Sequence, residues 1–327
     1  MQTRESSTRI RVRVPATTSN LGPGFDVLGM ALQLYCELDL KVYWRQALEP
    51  SEPARPRPAT VRVDLAGEGA DALPRDESNM VVRSFDSVCP TKYWDGTLLH
   101  FAIKNGIPVW RGLGSSAAAR LCGLLAGDAL LHVLEVKAES PLEIVERACE
   151  FEGHPDNAVP AFYGGLRASL WNGGDLLHFG LKVPKDLGVV VCVPDFKVPT
   201  EKARKVLPKK VSLRDAVHTA SHLAFLIKAL ESGEYAWLKT AMQDVLHQPY
   251  RKPLVRGMDA VIRDALKAGA FGAALSGSGP TVLALTLRGP KQAKVGRAMQ
   301  KAFLRHGKES RYLALDVDNK GAVIDTR

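Results

Sequence analysis

Gly112–Leu–Gly–Ser–Ser116 stands immediately before a run rich in Ala and Leu that reaches Leu134. A helix N-terminus carries unpaired N–H groups and a partial positive charge, which suit the oxygens of a phosphate. Glycines let the backbone come close to such an anion. Serine hydroxyls can donate to phosphate or ligate Mg²⁺. The segment is neither the GxxxxGK[ST] of a P-loop nor the GxGxxG of a dinucleotide fold. Read alone, it is also a tight turn before an apolar helix.

A second polar cluster, Glu152–Gly–His–Pro–Asp–Asn157, crowds four polar side chains around a forced turn. His154 and Asp156, two residues apart across a proline, do not have a usual zinc spacing. Upstream, Leu142, Val145, Ala148 and Cys149 form the apolar face of a helix, with Glu143, Glu146 and Glu150 on the other side. Glu146 is a solvated residue on that face, or a Mg²⁺ ligand if the helix packs beside the phosphate loop, because Mg²⁺ needs only one or two carboxylates besides phosphate oxygens. Two further glycine-bearing segments, Asn20 to Asp26 and Ser276 to Pro280, read as turns or as backbone facing a ligand.

The elements that must position these residues follow from periodicity. Ile10, Val12 and Val14 alternate with arginines, as in a half-buried strand. The segment Pro15 to Asp26 is turn-rich and is expected to end that strand, and Leu34 to Val42 predicts the next. Pro50, Pro53, Pro56 and Pro58 predict an exposed hairpin loop, and Val61 and Val63 resume strand pattern. Asn79 to Val88 predicts a helix, and His100 to Ile103 a strand. Ser140 and Glu143 flank Pro141 as a capping box that starts a helix to about Phe151. Another helix begins at the Gly153–Asn157 turn. Gly188 to Val193 predicts a buried strand. Thr200 is expected to cap a short helix to Leu207, and Ser212 with Asp215 one through Leu230. Pro253 is expected to open a helix to about Ala268, with Arg251 in the loop before it. Strands at Phe271–Leu275 and Thr281–Leu287, a helix from Pro290, and strands near Tyr312 and Val323 follow. This irregular mixture of elements predicts the α+β class.

The 327 residues suggest two domains, 1–174 and 175–327, divided at Gly173–Gly174. Apolar residues make up 46% and charged residues 24%, which excludes disorder over most of the chain. The longest unbroken apolar run, Val189 to Val193, is too short to span a bilayer, and the polar, Arg-rich start lacks a secretory core. Cys36, Cys89, Cys122, Cys149 and Cys192 are odd in number and widely spaced, which fits a reducing cytoplasm rather than a disulfide framework. The net charge of +9 suits an anionic ligand: a nucleotide, a phosphorylated metabolite or nucleic acid.

Taken together, PATTSNLGPGFDVLGMAL (Pro15 to Leu32), PVWRGLGSSAAA (Pro108 to Ala119) and EGHPDNAVPAFYGGL (Glu152 to Leu166) resemble the homoserine kinases of the GHMP kinase superfamily. ALSGSGPTVLAL (Ala274 to Leu285) is similar to the superfamily's C-terminal glycine loop. The resemblance implies a ribosomal-protein-like N-terminal α/β domain and a ferredoxin-like C-terminal one. It implies ATP-dependent phosphorylation of the side-chain hydroxyl of L-homoserine to O-phospho-L-homoserine, for threonine biosynthesis. Pro108, Val109, Trp110, Arg111, Gly112, Leu113, Gly114, Ser115, Ser116, Ala117 and Ala118 would hold ATP. Asn79 would contact its nucleobase or ribose, and Ser116 and Glu146 would hold Mg²⁺. Asn20, Asp26, His154, Asp156 and Asn157 would surround the amino and hydroxyl ends of homoserine. Arg204 and Arg251 would take its carboxylate.

Asn157, Glu146 and Asp26 are the catalytic candidates. Asn157 stands where many superfamily members carry an aspartate base, so the γ-phosphate would take the hydroxyl proton, with Asp156 as the competing base. Trp110 and Arg111 replace small residues of the family pattern. The expected enzyme is a cytoplasmic homodimer without nucleic-acid or membrane partners. The alternatives are a GHMP kinase for threonine, shikimate or mevalonate, and a non-catalytic RNA-binding or regulatory relative.

Overall fold

Ile10, Val12 and Val14 are buried while the arginines between them stay partly exposed, so the period-two pattern does mark a strand with one face in the core. The computed structural model describes residues 7–44, 60–172 and 175–327. The four prolines from Pro50 to Pro58 and the expected boundary at 173–174 lie outside the described residues. In chain order come β1 (Ser7–Asn20), β2 (Gly24–Tyr43), β3 (Thr60–Gly67), α1 (Met80–Val88), β4 (Leu98–Asn105), α2 (Ser115–Val133), α3 (Pro141–Glu152) and α4 (Pro155–Tyr163). Next are β5 (Leu166–Trp171), β6 (Leu176–Leu181), β7 (Leu187–Pro194), α5 (Thr200–Lys205), α6 (Leu213–Ser232), α7 (Leu238–Ala241), α8 (Gln248–Arg251) and α9 (Met258–Ala268). Then follow β8 (Gly272–Leu275), β9 (Val282–Leu287), α10 (Pro290–Arg305), β10 (Ser310–Leu315) and β11 (Val323–Thr326).

Seven strands form one sheet, in the order β11-β1-β2-β4-β3, with β5 joined to β2 and β6 to β5. It therefore draws strands from both sides of residue 174. The other sheet is antiparallel, in the order β10-β7-β9-β8. Every residue of β7 is buried. Its alternation divides it between two cores. Val189, Val191 and Val193 join the large cluster that reaches the seven-stranded sheet, while Val190 and Cys192 pack with α9 and α10. An apolar core thus continues from one sheet to the other.

Local signals held where local chemistry suffices. Ser140 accepts from the Glu143 N–H, and the Glu143 carboxylate accepts from the Ser140 N–H, completing the capping box. The Asn79 side chain accepts from the Val81 N–H and caps α1.

Four expectations are corrected. The turn-rich segment does not end β1, which runs through Pro15 to Asn20; β2 begins at Gly24 rather than Leu34. A register shift between Pro15 and Ala16 accommodates the proline. Pro199, not Thr200, precedes α5, and Thr200 is its first residue. Pro253 belongs to a short 3₁₀ turn, and α9 starts at Met258 after the left-handed Gly257. Arg251 ends the short helix α8 rather than lying in a loop.

Gly29 sets the spacing between β2 and α4. A Cβ there would lie 1.7 Å from the Asp156 carbonyl oxygen, so the strand and helix backbones meet where only hydrogen fits. We expect Gly29→Ala to destabilise the fold by about 1–3 kcal/mol, as overpacking does, read as a lowered urea midpoint. An unchanged midpoint would show that Gly29 does not set this distance.

Candidate active site

A cavity of about 480 Å³ opens between the two sheets. Its upper wall is the loop from Pro108 to Gly114, which ends at the N-terminus of α2. Gly114 is left-handed, with φ 68°, and supplies no side-chain cap. The first amides of α2 therefore keep their donors for a ligand. The loop rests on the second glycine loop, where the Ser276 hydroxyl donates to the Gly112 carbonyl at 2.6 Å. On the far side lie the apolar residues Leu65, Leu73, Val81 and Ile103. That slot suits a flat nucleobase.

The deep end is polar and buried. His154 Nδ1 lies 2.6 Å from Asp156 Oδ1. Burial opposes the charged form of each. The mutual attraction wins, raising the His154 pKa and lowering that of Asp156. Asn157 is spent on its neighbours. Its Oδ1 accepts from the Thr17 hydroxyl at 2.7 Å, and its Nδ2 donates to Asp156 Oδ1 at 2.9 Å. Asn20 donates to the Gly277 carbonyl at 3.0 Å and accepts from the Asp26 N–H at 3.1 Å.

Arg204 holds Asp26 in a two-point pair, at 2.9 and 3.1 Å. Arg251 is only 2% exposed. Its Nε donates to the Ala203 carbonyl at 3.2 Å, and its Nη1 to the Gly277 carbonyl at 3.0 Å. Burial first, then the charge of Arg204, pulls its pKa down to about 10, so it stays protonated at neutral pH. Both guanidiniums lie over the Phe25 ring, at 5.8 and 5.3 Å from its centroid. Among the described residues Arg251 pairs with no carboxylate, so its charge is left for the carboxylate of a ligand.

Of the residues singled out in the sequence, Asn20, Asp26, Asn79, the loop from Pro108 to Ser116, His154, Asp156, Asn157, Arg204 and Arg251 all line this cavity. Four groups behave otherwise than expected. Ala117 and Ala118 are fully buried on the core side of α2 and do not line it. Glu146 is also absent from the lining. The carboxylate that reaches Ser116 is Glu152, which accepts from its hydroxyl at 2.7 Å and from Arg120 at 2.7 Å. Six residues of helix rotate a side chain by about 240°, so Glu146 and Glu152 cannot share a face. Arg111 lines the cavity but spends its guanidinium on the Pro194 and Asp195 carbonyls, to which it donates at 2.9 and 2.7 Å. The Asn79 side chain is partly occupied, by its capping bond and by the Pro74 carbonyl, to which one amide N–H donates at 2.7 Å.

Glu152 and Phe25 were within reach of sequence reading, because each sits inside a motif already singled out. His247, which touches both the first loop and Arg251, carried no signal.

The model of the GHMP kinases N-terminal domain matches residues 79–165, and that of the GHMP kinases C terminal matches residues 226–305. A homoserine kinase of Moorella thermoacetica is 42% identical over 313 residues, covering 96% of this chain and 99% of that one. One of Carboxydothermus hydrogenoformans is 38% identical over 315 residues, covering 95% of each. The crystal structure of homoserine kinase from Cytophaga hutchinsonii superposes with a TM-score of 0.81 at 29% identity, over 99% of both chains. The mevalonate kinase of L. major shares the fold, with a TM-score of 0.63 at 17% identity. The fold is the two-domain α+β arrangement of the GHMP kinases, and the chain belongs to the homoserine kinases of that family.

Proposed function

We infer that the protein transfers the γ-phosphoryl group of ATP to the side-chain hydroxyl of L-homoserine, giving O-phospho-L-homoserine for threonine biosynthesis. The observation that carries this reading is the cavity itself. A phosphate-ready helix N-terminus faces a pocket where Arg251, with no carboxylate partner, and the carboxylates of Asp26 and Asp156 suit the two charges of a small zwitterion.

ATP phosphates bind at the α2 N-terminus, with the nucleobase in the apolar slot. Arg251, with the Arg204–Asp26 pair beside it, takes the substrate carboxylate. The carboxylates of Asp26 and Asp156 suit its ammonium. The hydroxyl then approaches from the side of His154 and Asn157. Asp156 is poorly placed to be a base, because a low pKa and two donors hold its charge. A loose phosphoryl transition state needs little base assistance, so the γ-phosphate takes the proton. Positioning and positive charge then supply the rate.

Ser116 and Glu152 offer the hard oxygen donors that Mg²⁺ prefers, at the place where phosphates bind. When bound, Mg²⁺ neutralises phosphate charge. Glu152 in place of Glu146 is the assignment the geometry favours.

The division near residue 174 is supported by family matches that fall on either side of it. Five buried free cysteines fit the cytoplasm. α2 is long and apolar enough to cross a bilayer by composition, but 72% of that stretch is buried within the fold.

For the homodimer, α6 supplies a face. Leu213, Val217, Ala220 and Ala224 are exposed at spacings of four, three and four, the rhythm of helix pairing. Around a two-fold axis at Ala220 the helices run antiparallel.

Three measurements test these readings. ADP release with ATP and Mg²⁺ should occur with homoserine and not with threonine, shikimate or mevalonate; equal turnover of another acceptor would reject the substrate. Glu152→Gln should lower kcat by one to two orders of magnitude, roughly, and raise the Mg²⁺ requirement, while Glu146→Gln should do neither; the reverse pattern would return the metal to Glu146. Light scattering should give a two-chain mass for the wild type and a one-chain mass for Leu213→Glu/Val217→Glu. A wild-type protein of one-chain mass would reject the dimer.

A further inference from the structure

His247 is fully buried behind the carboxylate end of the cavity. Its Nε2 lies 2.9 Å from the Gly22 carbonyl oxygen, and its Nδ1 lies 3.2 Å from Arg251 Nη1. A guanidinium has no lone pair to give, so Nδ1 must accept from Arg251. The ring proton then sits on Nε2 and is donated to Gly22. The imidazole is thereby fixed as one neutral tautomer between the first loop, at Gly22, and Arg251 at the end of α8.

The other hydrogen bonds of Arg251 end on the carbonyls of Ala203 and Gly277. With His247 they hold Nε and Nη1. Among the described residues no hydrogen bond involves Nη2, and Arg251 lines the cavity. Phe25 stacks on His247 with centroids 5.3 Å apart and lies beneath the Arg251 guanidinium. The Asp244 side chain anchors the other edge. It accepts from the backbone N–H groups of Leu246, His247 and Gln248, at 2.9, 3.0 and 2.7 Å.

Resting on the reading that Arg251 takes the substrate carboxylate, we propose that neutral His247 is a positioning residue that fixes the orientation of Arg251 and so sets the affinity for the amino-acid substrate. It touches no reacting atom. Its effect passes through one hydrogen bond that only an unprotonated Nδ1 can accept.

The charged groups facing the ring are Asp244, whose Oδ2 is 3.5 Å from Nε2, Arg251, and more distantly Asp26. Burial outweighs the two carboxylates and lowers the His247 pKa below the ordinary imidazole range. Protonation in acid would remove the acceptor and set two cations side by side. Homoserine binding should therefore weaken as pH falls through that lowered pKa, while ATP binding, at the other end of the cavity, should not follow.

The test compares two conservative variants. Asparagine can present an acceptor near the place of Nδ1, and glutamine a donor near the place of Nε2. His247→Gln should raise the homoserine KM about tenfold, as expected for losing a hydrogen bond to a charged group, with the ATP KM unchanged. His247→Asn should recover most of the wild-type value and lose the acidic limb of the homoserine KM. Equal effects of the two variants on both substrates would show a merely structural role and overturn the proposal. Arg251→Lys separates the two readings. If it leaves the homoserine KM unmoved, the carboxylate assignment itself has failed. If it raises KM and His247→Gln then multiplies that effect in full in the double variant, His247 does not act through Arg251. The wild-type pH profile needs no variant to fold, and a homoserine KM that is flat in acid would also overturn the proposal.

Discussion

The last residues of β1, Thr17 to Asn20, are polar and almost completely buried. Each donor or acceptor left unpaired there would cost about 1–3 kcal/mol. The chain meets that demand from three directions. Thr17 donates its hydroxyl to Asn157 at the start of α4 and its N–H to the Leu113 carbonyl in the phosphate loop. The Thr18 hydroxyl pairs with that of Ser276 at 2.8 Å. The Ser19 carbonyl accepts from the Gly277 N–H at 3.1 Å, and Asn20 reaches the Gly277 carbonyl. Satisfying one buried strand end therefore brings the phosphate loop, the His–Pro–Asp–Asn turn and the second glycine loop together. The cavity is what lies between them.

The same economy governs the charges. Two arginines close to one another would repel, and burial disfavours the charge of Arg251. Asp26 pairs with one, backbone carbonyls surround the other, and the Phe25 ring offers its face to each. The Gly277 carbonyl accepts from both Asn20 and Arg251, so the first loop and α8 are tied to the same atom. A site so fully cross-linked can keep the Arg251 guanidinium, which has no carboxylate partner, away from water. This is the condition under which a carboxylate is worth recognising.

What the sequence determined by itself was mostly local. The capping box at Ser140, the Asn79 cap, the strand alternation at Ile10 to Val14 and the glycine entry to α2 depend on residues within a turn or two of one another. Their physics is complete in a short window. The motifs also identified the phosphate loop and most of the polar end of the cavity, but not the apolar slot of Leu65, Leu73, Val81 and Ile103. The chemistry of a phosphate loop and of a polar turn requires those residue types in that order.

Only the tertiary structure decided which atoms remain free to act. Asn157 lines the cavity, yet its amide is spent on the protein. Arg111 turns to the carbonyls after β7 instead of to a phosphate. Glu152 rather than Glu146 meets Ser116, because the outcome depends on which turn of α3 abuts α2. The turn-rich segment after Val14 proved to be strand, because its hydroxyls found partners that lie up to 258 residues away in the chain. A side chain's type can be read from one position. Whether its hydrogen bonds are already satisfied depends on neighbours that only the folded chain brings near.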